Sequence, residues 1–477
     1  MRFILTLFKK ILSALSGIYT KEEVDSVLET KLEVSEFEEA VETETSAMYE
    51  AYEEQVEGCE ALDARSKALA NIATWRSYAS AMQSMVDDEM ATMIAEEFEK
   101  AAQKYLEDPD ATEEWITTKD ADGNISSTCP YYDVAPTRPV IDFNVVKLYG
   151  IYNEASVFNT GTNVPVFLPN VTFCQYALLS ASLFNYPIIL PNVVDVYMSL
   201  RSTSFNFPVY LPKATQCGHI LSLAKNFNSS VYVPVATNFG YSLQWAISFN
   251  QPLNLPKVVT CGYMLYGASS FNQPLNLPEA TSLSYALGTT SSFNSTVTAP
   301  KATDVSHIFH SATVYNQPIN FPVAITATAM CQATYRFNST ISLPKATACS
   351  YLLHSSRVYN QPLDLPEATN CSYMLTNATS FNNTISIPKA TNCDNMLSGA
   401  TSFNQSVELT SCTSASGAFN NTALTFDHIS DILMSLPETA GGVISFVGTP
   451  GADDPDIEFD MEPAIVDARL KGWTVEF

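Results

Sequence analysis

The sequence predicts an α/β repeat fold, a solenoid of 22-residue turns preceded by an α-helical, coiled-coil-like N-terminal region. Two columns that keep the same phase predict the solenoid. Phe-Asn or Tyr-Asn recurs every 22 residues at Phe205, Phe227, Phe249, Phe271, Phe293, Tyr315, Phe337, Tyr359, Phe381 and Phe403. An apolar residue followed by proline recurs at the same spacing, from Leu211-Pro212 through Leu255-Pro256 to Ile387-Pro388. A third observation predicts the N-terminal region. Residues 1–120 carry 28 of the 50 acids and 11 of the 24 bases, and no proline precedes Pro109.

Within one turn, the Leu-x-Leu pair (Leu253 and Leu255, Leu275 and Leu277, Leu363 and Leu365) is expected to be a short strand with both leucines facing in. The proline after it lacks a donor and ends the strand. A helix is expected over Ala368 to Ala378, because Ala368, Cys371, Leu375 and Ala378 are spaced 3, 4 and 3. One such unit cannot bury its apolar face, whereas stacked neighbours can. At about 4.8 Å per turn, ten turns make a rod of roughly 50 Å.

The aromatic of each Phe-Asn pair is expected to stack in the core. The asparagine is expected to be a buried amide bonded to the neighbouring turns as a ladder. The sequons Asn294-Ser295-Thr296 and Asn338-Ser339-Thr340 then read as by-products of the repeat, since a core amide cannot carry a glycan. Cys217, Cys261, Cys349, Cys371 and Cys393 share one column with Phe239, Leu283 and Val305. A column shared with Phe and Leu is a core column, so these cysteines are expected to be buried free thiols. No CxxC pair occurs, so no metal site is expected.

The net charge is −26, and about two thirds of it lies in the first 120 residues. That balance excludes nucleic-acid binding, which needs basic patches. The expected organisation is an amphipathic anchor helix at 1–20, an acidic helical or coiled-coil oligomerisation region at 21–106, a linker at 107–145, the solenoid at 146–437 and a C-terminal cap at 438–477. In the anchor, Phe3, Leu7, Ile11 and Leu15 sit at helical spacing. Lys9 and Lys10 interrupt the apolar run, and no small-residue cleavage site follows, which argues against a signal peptide. The helix would dock on a partner or a membrane surface. Acidic helices need a packed partner, and coiled-coil self-association supplies one, with a monomeric hairpin as the alternative. In the cap, a helix over Phe426–Leu436, a strand over Gly442–Gly448, a helix over Pro463–Lys471 and a strand over Trp473–Phe477 are expected.

The stretch Phe249–Pro278, FNQPLNLPKVVTCGYMLYGASSFNQPLNLP, resembles the BspA-type leucine-rich repeats. Such repeats occur on bacterial surface proteins and on virion proteins of their phages. The likeness covers roughly Phe158 to Asn420 and implies a leucine-rich-repeat-like solenoid. The commonest version runs longer and carries Trp-Asp-Val after the strand, which this chain lacks. The ending Ala464–Phe477 is similar to the closing segment of such proteins. Tyr19–Leu28 is similar to a helix-opening motif of phage fibre and appendage proteins, and Thr20 with Glu23 forms a capping box there.

No HExxH, GxSxG, Walker or GxGxxG motif stands in a credible context, so no enzyme activity and no cofactor are expected. Two outer columns are the candidate binding surface. Tyr241, Tyr263, Tyr285, Tyr351 and Tyr373 recur at multiples of 22, with His219 and His307 in the same column. They are expected to face outward, either stacking on sugars or packing flat on the next turn. Tyr210, Tyr232, Asn254 and Asn276 begin the outward strand column. His310 and His354 share a column with Tyr266, Gln332 and Thr376, which is expected to be solvent exposed. The expected function is a structural virion protein of a tailed phage, a head or tail fibre or appendage. Its N-terminal region would bind capsid or tail proteins, and its solenoid would bind a host-surface glycan or protein. A homo-oligomer is expected, a trimer ahead of a dimer. The alternative is a bacterial cell-surface adhesin.

Overall fold

The computed structural model describes residues 171–180, 184–186, 188–453 and 462–477. It also describes a few helical positions between 69 and 80 and the short strands Asn124–Ser126, Val140–Ile141, Lys147–Tyr149 and Val166–Phe167. The anchor residues Phe3, Leu7, Ile11 and Leu15 and the coiled-coil pairing expected for 21–106 lie outside the described residues.

The described chain is a parallel solenoid with a 22-residue period. The strand Leu363–Asp364 pairs in parallel with Ile385–Ser386, Ile319–Asn320 with Ile341–Ser342, and Leu275–Asn276 with Val297–Thr298. A second line of parallel bridges runs alongside, from Asp195 through Asn238, Ser282, Thr326 and Asn370 to Ser414. Both lines continue upstream with less even spacing. Lys147–Tyr149 pairs with Asn124–Ser126 and with Phe173–Gln175, and Val166–Phe167 pairs with Val140–Ile141 and with Ile188–Ile189.

Among the described residues, the helix expected in each turn is absent. Cys371–Ala378 is instead two successive tight turns, closed by Met374 N–H on Cys371 O (3.2 Å) and Ala378 N–H on Leu375 O (3.0 Å). Tyr373 and Asn377 hold their third positions at φ 57° and 58°. The reason lies in where the amides go. A helix sends each N–H to the carbonyl four residues back. Here Cys371, Tyr373, Leu375 and Asn377 donate to Asn392, Asp394, Met396 and Ser398 of the next coil, each at 2.8 Å. The strand residues Leu363 and Leu365 do the same, to Thr384 and Ser386. Stacked helices would stand about 8–10 Å apart, whereas the Tyr351 and Tyr373 rings on this side are 4.6 Å apart. The whole circumference therefore keeps β-type spacing, and the apolar 3-4-3 pattern comes from two four-residue turns.

These turns require left-handed backbone at two positions per coil. The first column runs through Tyr241, Tyr263, Tyr285, His307 and Tyr351, and the second through Trp245, Gly267, Thr289, Ser311 and Asn377, all with φ between 55° and 73°. A left-handed L-residue costs roughly 1–2 kcal/mol, and a β-branched one is the least suited to it. The inter-coil hydrogen bonds, four of them from these two turns in each coil from Phe239 to Gly399, outweigh that cost, because a buried amide left without a partner loses about 1–3 kcal/mol.

The core is the expected one. Phe205, Phe227, Phe249, Phe271, Phe293, Tyr315, Phe337, Tyr359, Phe381 and Phe403 are at most 1% exposed. Successive rings stack at 5.7–6.1 Å with nearly parallel planes. The inner leucines of the strands and the Ala-Cys-Leu column fill the remainder. Cys217, Cys261, Cys349, Cys371 and Cys393 are buried free thiols. Burial pushes Cys217, Cys261 and Cys349 up to about 12.

The asparagine ladder is present, but it lies outside the core. Asn316 N–H donates to Asn294 Oδ1 (2.9 Å), Asn338 to Asn316 (2.7 Å), Asn360 to Asn338 (2.8 Å) and Asn382 to Asn360 (2.8 Å), and all five asparagines are exposed. The ring before each asparagine points inward, so period-two alternation turns the amide outward. Asn294 and Asn338 are thus surface residues, and the argument that burial bars glycans from them does not hold.

The C-terminal end continues the stack. Helix Phe426–Ser435 buries Ile429, Ile432 and Leu433. Strand Gly442–Ser445 extends the bridge line through Ala415–Ile444 and pairs in parallel with Trp473–Glu476. Phe419, Phe446 and Phe477 form a further short ring stack at 5.3 and 6.1 Å. Helix Pro463–Leu470 sits between, and these four elements fall where the sequence places them.

Thr289 is a β-branched residue at φ 56° whose hydroxyl is buried without a partner. Thr289→Gly is expected to stabilise the chain by about 1 kcal/mol, measured as a rise in denaturant midpoint. For the thiols, iodoacetamide at about pH 8 is expected to leave Cys217, Cys261 and Cys349 unmodified in the folded chain and to alkylate them after denaturation. Peptide mass mapping before and after denaturation checks this.

Candidate functional site

The first left-handed column brings the predicted tyrosines together. Its turn geometry points each side chain outward and lays it on the equivalent side chain of the next coil. His219 and Tyr241 stack at 4.5 Å, Tyr241 and Tyr263 at 4.7 Å, Tyr263 and Tyr285 at 4.6 Å, and Tyr285 and His307 at 4.1 Å, with planes within 13°. Ala329 interrupts the column, and Tyr351 with Tyr373 resumes it at 4.6 Å. All of these rings are half-buried. Inside the stack both faces of each ring are covered, and the edges and hydroxyls meet solvent.

The outward strand column is a separate surface. Tyr210 and Tyr232 stack at 4.9 Å, and Tyr232 bridges to Asn254 in the next coil. Tyr232, Asn254 and Asn276 are exposed, and Tyr210 is half-buried. Beside it, Lys301 pairs with Glu279 and Lys389 with Glu367, each at 2.7 Å. These pairs are exposed, so solvent screens them and they add little to stability.

The column expected to be solvent exposed behaves otherwise. His310 and His354 are half-buried, and desolvation holds both imidazoles below their ordinary value. His310 lies 5.8 Å from His307 and 6.1 Å from Tyr285. His219 and His307 are also held low, first by desolvation and then by a nearby positive group, Arg201 and His310 respectively.

Three residues outside the two candidate binding columns extend this aromatic surface. Trp245 is 40% exposed and meets Tyr266 edge-on at 5.5 Å. Tyr266 in turn lies 5.6 Å from Tyr263 and 6.1 Å from Tyr285. His310 closes the set. Trp245 is the one aromatic residue of its column between Leu223 and Gly399, whereas Tyr266 and His310 share a column with Gly288, Gln332, His354 and Thr376. The sequence signal was available. Trp245 is followed 22 residues later by Gly267, and Tyr266 by Gly288, so each large ring has an empty neighbour.

Among the described residues, no group of three or more His, Cys, Asp or Glu side chains is placed to hold a metal ion, and no helix is long and apolar enough to cross a membrane.

Residues 211–299 and 300–431 match the model of a family described as "Mycoplasma protein of unknown function, DUF285". The matched stretches are just under half of the chain and cover the most regular coils. They agree with the BspA-like character of the repeat and with the solenoid. The searches of curated proteins and of solved structures each returned no match.

The four histidines give the fold a pH dependence with a definite sign. Their folded-state values lie below the unfolded value of about 6.5, so folding disfavours their protonation. Their contribution is complete above about pH 6.5 and is lost as pH falls below it. The melting temperature is expected to drop between about pH 7.5 and 5.5. His307→Phe, which keeps the stacked ring and removes the titration, is expected to flatten part of that drop in calorimetry.

Proposed function

We propose that this chain is a structural attachment protein whose solenoid presents its outer side-chain columns to a host surface. The observation that carries the reading is the division of labour within each coil. Inward columns and backbone amides repeat the same contacts from coil to coil, while outward positions vary and gather exposed or half-exposed aromatic rings at one place. A scaffold that holds side chains in fixed rows suits binding at a surface with many small contacts. Repeat solenoids offer extended surfaces for this use.

The particle that carries it is, in our reading, a tailed-phage virion, with the chain as a head or tail fibre or appendage. The Tyr19–Leu28 motif and the acidic N-terminal region support anchoring to capsid or tail proteins and homo-oligomerisation, with a trimer ahead of a dimer. The second reading is a bacterial cell-surface adhesin. The match to a family described from Mycoplasma favours it, since that is a cellular source.

The two readings separate by location. Antibody against the solenoid is expected to label purified virions by electron microscopy, and mass spectrometry of those particles is expected to find the chain. Recovery from the bacterial envelope, with none in the particles, would replace the virion reading with the adhesin. In either case the purified full chain is expected to adsorb to host cells. Loss of that adsorption would defeat the attachment reading itself.

A further inference from the structure

The stacked tyrosine column is a poor receptor for a sugar ring, because its ring faces are already in contact with one another. The neighbouring coils provide a different arrangement. Trp245 sits at φ 58°, in the second left-handed column, and projects outward. The next residue in that column is Gly267, at φ 73°. The six-membered ring of the indole occupies the space that a Cβ on Gly267 would fill. One position earlier, the pattern repeats. Tyr266 rests against Gly288, where a Cβ would lie 2.8 Å from the ring. Two glycines, one beneath each ring, therefore seat Trp245 and Tyr266 on the coil that follows.

We infer that Trp245 and Tyr266 form a carbohydrate-binding platform that takes the pyranose rings of a polysaccharide. The inference rests on the attachment reading above and assigns its contact point. Four observations select this ligand. The indole is 40% exposed although it is the largest side chain on this face, so its apolar surface is open to solvent. The two ring planes are 84° apart, which makes a corner rather than a flat patch. A pyranose has an apolar face that can lie on one ring and an edge that can meet the other. The same coils carry neutral polar groups: Gln244 is half-buried, and Ser269 and Ser291 donate to the carbonyls of Ile247 and Ser269 at 3.3 Å, so their hydroxyl oxygens can still accept from sugar hydroxyls. The backbones of Trp245 and Tyr266 are tied to each other across the two coils, Trp245 N–H donating to Tyr266 O at 2.7 Å, and Tyr266 N–H closes a turn within its own coil on Tyr263 O at 3.2 Å. The rings are thus set on rigid backbone, and little ordering cost remains at binding.

An apolar protein partner would need a wider hydrophobic face than this pair of rings offers. A nucleic acid would need cations in quantity, and these coils do not supply them.

The test uses the full chain in native gels containing soluble xylan, mannan, dextran or hydroxyethylcellulose, together with a glycan microarray. At least one hexose or pentose polymer is expected to retard the chain. Trp245→Ala and Tyr266→Ala are each expected to weaken that binding about ten-fold, with Trp245→Phe between them and the original. Met434→Ala, at an exposed position of the C-terminal helix Phe426–Ser435, is expected to leave it unchanged. Circular dichroism melts of every variant must match the original chain for the comparison to count, and Trp245→Phe serves if Trp245→Ala does not fold. Absence of retardation and of array binding overturns the platform, and so does equal binding by the Trp245 and Tyr266 variants. If the original chain adsorbs to host cells and Trp245→Phe and Tyr266→Ala adsorb equally, attachment stands and this site does not. If the original chain fails to adsorb, the attachment reading fails first.

Discussion

The structure depends on where alternate backbone amides point. In each coil from Phe239 to Gly399, four N–H groups of the two tight turns leave the plane of the turn and donate to the carbonyls of the next coil, and in some coils two strand N–H groups do the same. Everything else follows from that direction. The coils must stand at strand spacing all the way round, so no helix fits on either side. The residues between the donors must bend sharply, so two positions per turn take left-handed backbone. Side chains at those positions are then placed in straight outward rows, directly above their equivalents, which is why tyrosines there become a stack rather than a scatter.

The period, the core columns and the C-terminal elements were legible because each has a signature independent of local conformation. A ring every 22 residues must stack on its equivalents if the turns are equal in length. The helix was misread because periodicity alone does not separate two geometries. Apolar residues at Ala368, Cys371, Leu375 and Ala378 lie on one face of a helix, and they also lie at the inward corners of two consecutive four-residue turns. Composition offers a discriminator. Tyr373 and Asn377 are followed in their columns by Asn395 and Gly399, residues that tolerate left-handed backbone. Asn and Gly recurring at fixed columns within an apparent helix point to turns. The exposed amide ladder follows the same lesson: the asparagine neighbours a core ring, and adjacency in a strand means opposite faces.

The candidate surface was legible only in part. Repetition marks what the columns share, and a search for recurrence finds the tyrosine column at once. Binding surfaces are marked by what a column does not share. Trp245 is the one aromatic of its column, and Tyr266 shares its column with His310 and His354 at wider spacing, so neither shows the unbroken recurrence of the tyrosines. The glycines one coil on from Trp245 and Tyr266 are the readable sign, since a missing side chain beside a large one is a local packing agreement between two coils.

The ring stack is not evenly paced. Phe184 and Phe205 are 21 residues apart, yet they stack at 6.0 Å with planes 2° apart, and Asn206 still donates to Asn185 Oδ1 at 2.8 Å. A coil one residue short thus presents the same upper and lower faces as its neighbours. The joints between coils are interchangeable, and the number of coils is free to vary. A gene for such a rod can lengthen or shorten by whole-coil duplication or slippage without a new core having to evolve. The reach of the molecule and the chemistry it carries along its length can therefore change separately.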